Sequence, residues 1–245
     1  VVGFLLWALP TTTIIFGMGF LDRYTWLRTS PEFLNALEGA GVLMVVTGGV
    51  WAAFQRHLGR MMAYASIAET GFVVMALGVQ PGINSIQIIF LHLIPRGIGL
   101  AVWALSLSVI GQKAKSLRFG DVQGFARLYP VASAGLLLAN FSTAGFPLLA
   151  GFPPRLALWE GLASQSLGFA FWLLIGLLGL VFGAIRTLAV LVMGSEETAW
   201  ALNESWVQGI MLGVGAIGLF VLGLFPQIVH PFLANLPSIF THLGQ

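Results

Sequence analysis

Seven apolar stretches dominate this chain, most of them long enough to supply the ~20 residues that an α-helix needs to cross a bilayer. They run over residues 2–20, 38–55, 61–79, 84–110, 131–165, 168–193 and 206–226. In hydrocarbon every backbone N–H and C=O must be satisfied inside the segment, so such runs commit the chain to helices. Composition agrees. Of 245 residues, 58% are hydrophobic and only 8% charged, with a mean hydropathy of +0.92, whereas a soluble domain carries about a quarter charged residues. The expected fold class is an all-α integral membrane protein with about seven transmembrane helices in contact with lipid. A net charge of +2 on so apolar a chain gives no basis for nucleic-acid binding.

What is missing narrows the function. Without cysteine there is no disulfide framework, thiolate zinc site or iron–sulfur ligation. The four histidines, His57, His92, His230 and His242, are scattered, and no glycine-rich phosphate loop follows a plausible strand. The expectation is therefore no cofactor and no metal on this chain, and no enzyme active site of its own. The chain opens at Val1 without a basic n-region or a small-residue cleavage site. That reads as no signal peptide and as residue 1 lying inside a longer or processed polypeptide.

The connections carry most of the charge. Arg56 and Arg60 bracket a tight turn, and Lys113, Lys115, Arg118 and Arg127 fill the longest loop. If the spans alternate, both fall on one side and only Arg23 and Arg28 on the other, so the positive-inside rule makes the first side cytoplasmic. The C-terminus is then external. Glu196 and Glu197 count little in this rule. The tail 227–245, with Pro231 and Pro237, is expected at the interface. Small-residue pairs such as Gly179/Gly183 and Gly209/Gly213 read as helix-packing contacts. Trp26, Trp200 and Trp206, near span ends, read as interfacial anchors.

Most ionisable groups belong to loops; Glu69, Arg96, Arg155 and Arg186 do not, and His92 stands beside Arg96. An ionisable group at membrane depth costs at least a few kcal/mol, so it marks a functional or interhelical polar site by default. Arg186 lies about two turns from the end of its span and can snorkel to the headgroups. Glu69, near the middle of its span, must be paired or protonated. His92 and Arg96 share a helix face at i and i+4. Pro95 between them lacks an N–H, so a kink or opening is expected there. Pro147, Gly151, Pro153 and Pro154 crowd the stretch from Gly145 to Arg155. So many breakers predict two half-helices meeting near mid-membrane, as in broken transporter helices.

These residues carry a resemblance. Arg60-Met61-Met62-Ala63-Tyr64-Ala65-Ser66-Ile67-Ala68-Glu69-Thr70-Gly71-Phe72 is similar to the KR-LLAYSSI-xQ-xGY signature of the proton-antiporter-like membrane subunits of complex I. Those are the L, M and N type chains of NADH:quinone oxidoreductase, with Mrp antiporter and membrane-hydrogenase relatives. His92-Leu93-Ile94-Pro95-Arg96 resembles the family's H-A-x-x-K segment, and Gly145 through Arg155 its G-x-P-P-x-x-G-F-x-x-K segment. The match covers roughly residues 36–193.

The resemblance implies fourteen helices in two inverted five-helix repeats, each with a broken helix and buried lysines. This chain corresponds to the eighth helix onward. It would comprise a flanking helix and external loop (1–37), one five-helix repeat broken near 145–155 (38–193), and a last helix with an external tail (194–245). The partners implied are other membrane subunits of a larger complex; the N-terminal repeat is supplied by one of them, lies elsewhere on the same polypeptide, or is lost. The location implied is the bacterial inner membrane or an organelle equivalent. Three departures stand out. The N-terminal repeat is absent, the family's two lysines are Arg96 and Arg155, and its usual glutamine is Glu69, with Gly59 where a lysine precedes Arg60. Arginine stays protonated where a buried lysine can exchange a proton, while His92 can still titrate. Three functions remain open: half of a proton or sodium path built on His92, Arg96, Arg155 and Glu69; a structural scaffold; or a standalone secondary transporter.

Overall fold

A computed structural model describes residues 1–79, 85–194, 200–233, 236, 239 and 240. Its helices are α1 (Val2–Arg23), the single turn α2 (Thr25–Arg28), α3 (Pro31–Phe54), α4 (Leu58–Gly78) and α5 (Ser85–Gly111). They continue with α6 (Pro130–Thr143), α7 (Phe152–Gln165), α8 (Leu167–Val192), α9 (Trp206–Leu224) and the short α10 (His230–Leu233). Among the described residues, α1, α3, α4, α5, α8 and α9 are each long and apolar enough to cross a membrane. The seventh expected crossing is divided between α6 and α7. The chain is an all-α integral membrane protein.

Local chemistry sets the helix starts. Ser30 caps α3 by accepting from Phe33 N–H, with Pro31 in the first turn, where a missing donor costs nothing. His57 caps α4: its Nδ1 accepts from Gly59 N–H at 3.2 Å and Arg60 N–H at 3.4 Å. That occupies one of the scattered histidines in structure. Ser205 and Gln208 form a capping box at α9. At α6 the cap comes from far along the chain. Glu204 Oε1 accepts from Val131 N–H at 2.8 Å and Ala132 N–H at 3.1 Å.

Hydrogen bonds between loops gather one set of helix ends on one face. Leu58 N–H donates to Leu117 C=O at 2.9 Å and Phe119 N–H to Arg56 C=O at 3.0 Å. Gly124 N–H reaches Val190 C=O, and Ala201 N–H reaches Arg127 C=O. The turn at Arg56 and the loop carrying Lys113, Lys115, Arg118 and Arg127 therefore share one side with the ends of α3, α5 and α8. Glu196, Glu197, Pro237 and His242 lie outside the described residues, so the readings placed on them have no counterpart here.

Close helix approach occurs where glycine permits it. A Cβ on Gly49 of α3 would lie 2.0 Å from the Gly176 carbonyl oxygen of α8, and one on Gly179 would lie 2.5 Å from Gly49. Gly183 has ordinary spacing, and Gly209 and Gly213 meet nothing within 4 Å. The second expected packing pair is thus corrected: both glycines face away from neighbouring helices. Trp26, Trp200 and Trp206 are exposed.

Two hydrophobic clusters fill the interior. One holds Leu58, Met61, Trp103, Ile110 and Leu136 toward the basic face. The other holds Met18, Phe72, Met75, Ile89 and Leu158 toward the opposite face. The boundary between them crosses α4 between Ala68 and Phe72, and α5 between Leu93 and Leu100.

Candidate functional site

That boundary is where the buried charges are. Glu69 lies eleven residues from the start of α4 and nine from its end, about 16 and 14 Å along the axis at ~1.5 Å per residue. Glu69, His92, Arg96 and Arg155 are each at most 4% exposed. At such a depth, charged groups persist only when they pair with one another or with backbone and side-chain oxygens.

Three of the four converge. Arg155 Nη2 donates to Glu69 Oε1. His92 Nε2 stands 2.9 Å from Glu69 Oε2, in contact but outside hydrogen-bond alignment. Phe72 forms the wall. Its ring centroid is 4.4 Å from that of His92 and 5.5 Å from the Arg155 guanidinium carbon. The imidazole and the guanidinium are therefore packed against one apolar ring that excludes water from that side.

Arg96 turns elsewhere. Its Nη2 donates to Thr70 Oγ1 at 2.9 Å and to the Leu6 carbonyl of α1 at 3.4 Å. Thr70 Oγ1 donates in turn to the Ser66 carbonyl. Nε and Nη1 of Arg96, Nε of Arg155 and Nδ1 of His92 have no hydrogen-bond partner among the described residues. Trp7 of α1 donates to the Leu93 carbonyl at 3.4 Å, so α1 closes the side of the site where Arg96 lies. Thr70, Leu6, Trp7 and Phe72 were not singled out from sequence. Thr70 and Phe72 fall inside the signature stretch, whereas nothing in the sequence pairs α1 with Arg96.

The helix break positions Arg155. Residues 144–151 separate α6 from α7 and form a tight excursion, with Gly145 at φ 76° and Leu148 at φ 72°. Gly145 is needed for two reasons, its left-handed backbone and the Arg155 side chain 2.4 Å from where a Cβ would sit. Gly151 N–H donates to Ser142 Oγ at 3.2 Å, and Arg155 Nη1 donates back to the Gly151 carbonyl at 2.8 Å. Ala150 N–H donates to the Leu219 carbonyl of α9 at 2.8 Å. Both guanidinium nitrogens that make bonds thus tie the broken segment to α4.

Pro153 and Pro154 stand at the edge of the break, in the first turn of α7, where no N–H donor is needed. Of the kink or opening expected at Pro95, the opening is corrected: α5 is helical from Ser85 to Gly111 with Pro95 buried inside it. Losing one N–H removes a single rung, and the packed neighbours hold the turn in place. Pro147 is in the gap, with Leu149 N–H bonded to the Phe146 carbonyl. Arg186 lies on the basic face, lining one cavity with Arg56 and Arg118. It donates to the Ala53 carbonyl and lies over the Phe119 ring at 5.3 Å.

From this cluster toward the basic face runs a line of buried polar groups. Trp103 and Ser106 continue the His92–Arg96 face of α5, and Ser133 and Asn140 lie on α6. Ser106 Oγ is 3.0 Å from where a Cβ on Gly135 would be, so this face meets α6. Ser106 Oγ, Ser133 Oγ and Trp103 Nε1 are buried without a hydrogen-bond partner among the described residues. No group of three or more His, Asp or Glu placed to hold a metal occurs among the described residues.

Residues 1–183 match the family model described as "NADH:quinone oxidoreductase/Mrp antiporter, TM". The chain belongs to that family. It is 25% identical over 237 residues to NADH-quinone oxidoreductase subunit N of Dehalococcoides mccartyi, covering 91% of this chain and 48% of that one. It is 33% identical over 230 residues to NADH-quinone oxidoreductase subunit N 1 of Solidesulfovibrio magneticus, covering 85% and 47%. A chain of the Mrp complex from a Dietzia species superposes with a TM-score of 0.76 at 14% identity, over 87% of this chain and 49% of that one, which shows a shared fold. This chain spans about half the length of the curated relatives it matches. Those relatives are named as a subunit of NADH-quinone oxidoreductase and as part of the Mrp complex.

Proposed function

We propose that this chain provides the C-terminal half of an antiporter-like membrane subunit, and that residues 38–193 form one five-helix repeat contributing half of a proton or sodium path. The observation that carries this is the contact of Glu69 with His92 and Arg155 at mid-depth, beside a break in the helix that bears Arg155. A carboxylate and an imidazole in contact can hand a proton between them as the charge around them changes. The guanidinium groups of Arg96 and Arg155 keep their charge and act as fixed electrostatic elements that bias where the proton rests. The unpartnered polar groups at Ser106, Ser133 and Trp103 support a hydrated route from the cluster to the basic face. That face is the cytoplasmic one on the positive-inside rule, which leaves the end of α9 external in a bacterial inner membrane or its organelle equivalent. Other membrane subunits complete the path. Any redox chemistry and its cofactors reside on those partners.

One observation favours a second reading, a scaffold. Arg96 binds α4 through Thr70 and α1 through the Leu6 carbonyl, an arrangement that holds three helices together and needs no moving proton. Separate Arg96→Ala and Arg155→Ala replacements in the assembled complex distinguish the two. A path role lowers ions translocated per electron at normal complex abundance. A scaffold role lowers complex abundance and leaves the ratio intact. Unchanged translocation in both variants removes the path.

A further inference from the structure

The groove between α3 and α8 has no role in the polar cluster. It is a cavity of about 460 Å³ walled by Val50, Phe54, Ile175, Leu178 and Phe182, opening sideways where Phe54 and Phe182 are 69% and 64% exposed. Gly179, which crosses Gly49 closely, also lines it. At the basic end it runs into a second cavity of about 560 Å³ lined by Arg56, Arg118, Phe119, Asp121 and Arg186, sharing Arg56 and Arg186 with the groove.

The charge at that mouth is unbalanced. Among the described residues no carboxylate lies within ion-pair distance of Arg56, Arg118 or Arg186. Asp121, on the same cavity, receives the Ser116 hydroxyl. Arg186 is held by the Ala53 carbonyl and the Phe119 ring with its guanidinium at the junction of the two cavities. Three planar donors over an apolar slot match a phosphate joined to an acyl chain, because guanidinium pairs bidentately with phosphate oxygens. The trimethylammonium of a zwitterionic lipid would instead add positive charge beside three arginines.

We propose that this groove binds an anionic phospholipid of the leaflet on the basic side, one acyl chain along α3 and α8 and the phosphate between Arg56, Arg118 and Arg186. The lipid fills the slot beside the glycine crossing and neutralises the arginines above it. A free anion would use the upper cavity alone and leave the lower one without an occupant.

The test uses the assembled complex reconstituted in vesicles that carry photoactivatable phosphatidylglycerol or photoactivatable phosphatidylcholine in a neutral background. Labelling of peptides 50–54 and 175–182 is measured per complex. Phosphatidylglycerol is expected to label them at least about 25-fold more than phosphatidylcholine, and Arg56→Gln with Arg118→Gln to remove most of that preference, at about five-fold for each of the two basic residues. Arg60→Gln, on the same face but lining neither cavity, is expected to leave labelling unchanged. Equal labelling by both lipids, or an Arg60→Gln effect as large as that of Arg56→Gln, overturns the proposal. So does loss of labelling in excess inorganic phosphate, which assigns the arginines to a free anion. Absence of labelling by either lipid overturns it too, since the groove is then covered by protein.

Discussion

Replacing Arg155 with glutamine separates the buried charge pair from the rest of the fold. Arg155 and Glu69 are 4% and 3% exposed, so solvent screens their interaction little. Without the guanidinium, Glu69 keeps only the contact with His92 at 2.9 Å. Breaking a buried pair by removing one partner costs about 3–5 kcal/mol, because the remaining charge is left uncompensated. Removing both charges is much cheaper, so Arg155→Gln with Glu69→Gln should recover most of that loss, a coupling of about 2–3 kcal/mol. Recovery is incomplete, since Arg155 also donates to the Gly151 carbonyl and the double variant loses that bond. Unfolding in mixed dodecyl maltoside and dodecyl sulfate micelles, followed by tryptophan fluorescence, measures each corner of the cycle. Additive losses, or a single-variant cost below about 1 kcal/mol, would refute the buried pair as a stabilising unit.

Other substitutions probe the elements around it. Gly49→Ala forces a Cβ to within 2.0 Å of the Gly176 carbonyl; about 1–3 kcal/mol of overpacking should lower the melting temperature in detergent, and an unchanged melt would contradict the crossing. Leu148→Gly removes a left-handed strain of about 1 kcal/mol at φ 72°; raised thermal stability is expected, and a loss above that amount would show that the leucine side chain contributes more than its backbone costs. Glu204→Ala leaves the Val131 and Ala132 N–H groups uncapped, so about 1 kcal/mol of stability should be lost and hydrogen exchange at both amides should quicken. Protection equal to wild type would show that the cap is idle.

Much of this architecture was legible because lipid imposes length and satisfaction rules on a chain. The long apolar runs became α1, α3, α4, α5, α8 and α9 within a few residues at most ends, and the run 131–165 split where its glycines and prolines crowd. The start of α3 at Pro31 rather than 38 escaped because Ser30, Glu32 and Pro31 make a cap that hydropathy ignores. Glu69, His92, Arg96 and Arg155 stood out for their depth alone, yet depth does not say which pairs with which. Spacing put His92 and Arg96 on one face; packing sends one to Glu69 and the other to Thr70 and α1. Gly179/Gly183 and Gly209/Gly213 look alike as patterns, and only the neighbour supplied by topology separates a tight crossing from a free face. Pro95 could mark either a kink or an opening, and the opening is absent. A proline inside a helix loses one rung, and tertiary packing decides whether the turn survives.

Proton transfer through the Glu69–His92 contact can be tested by counting ions moved per electron in sealed vesicles of the assembled complex, comparing wild type with His92→Gln. Glutamine retains a polar side chain against Glu69 and Phe72 but cannot carry a proton. A lower ratio with electron transfer and complex abundance preserved is expected. An unchanged ratio would mean that no translocated proton passes through His92.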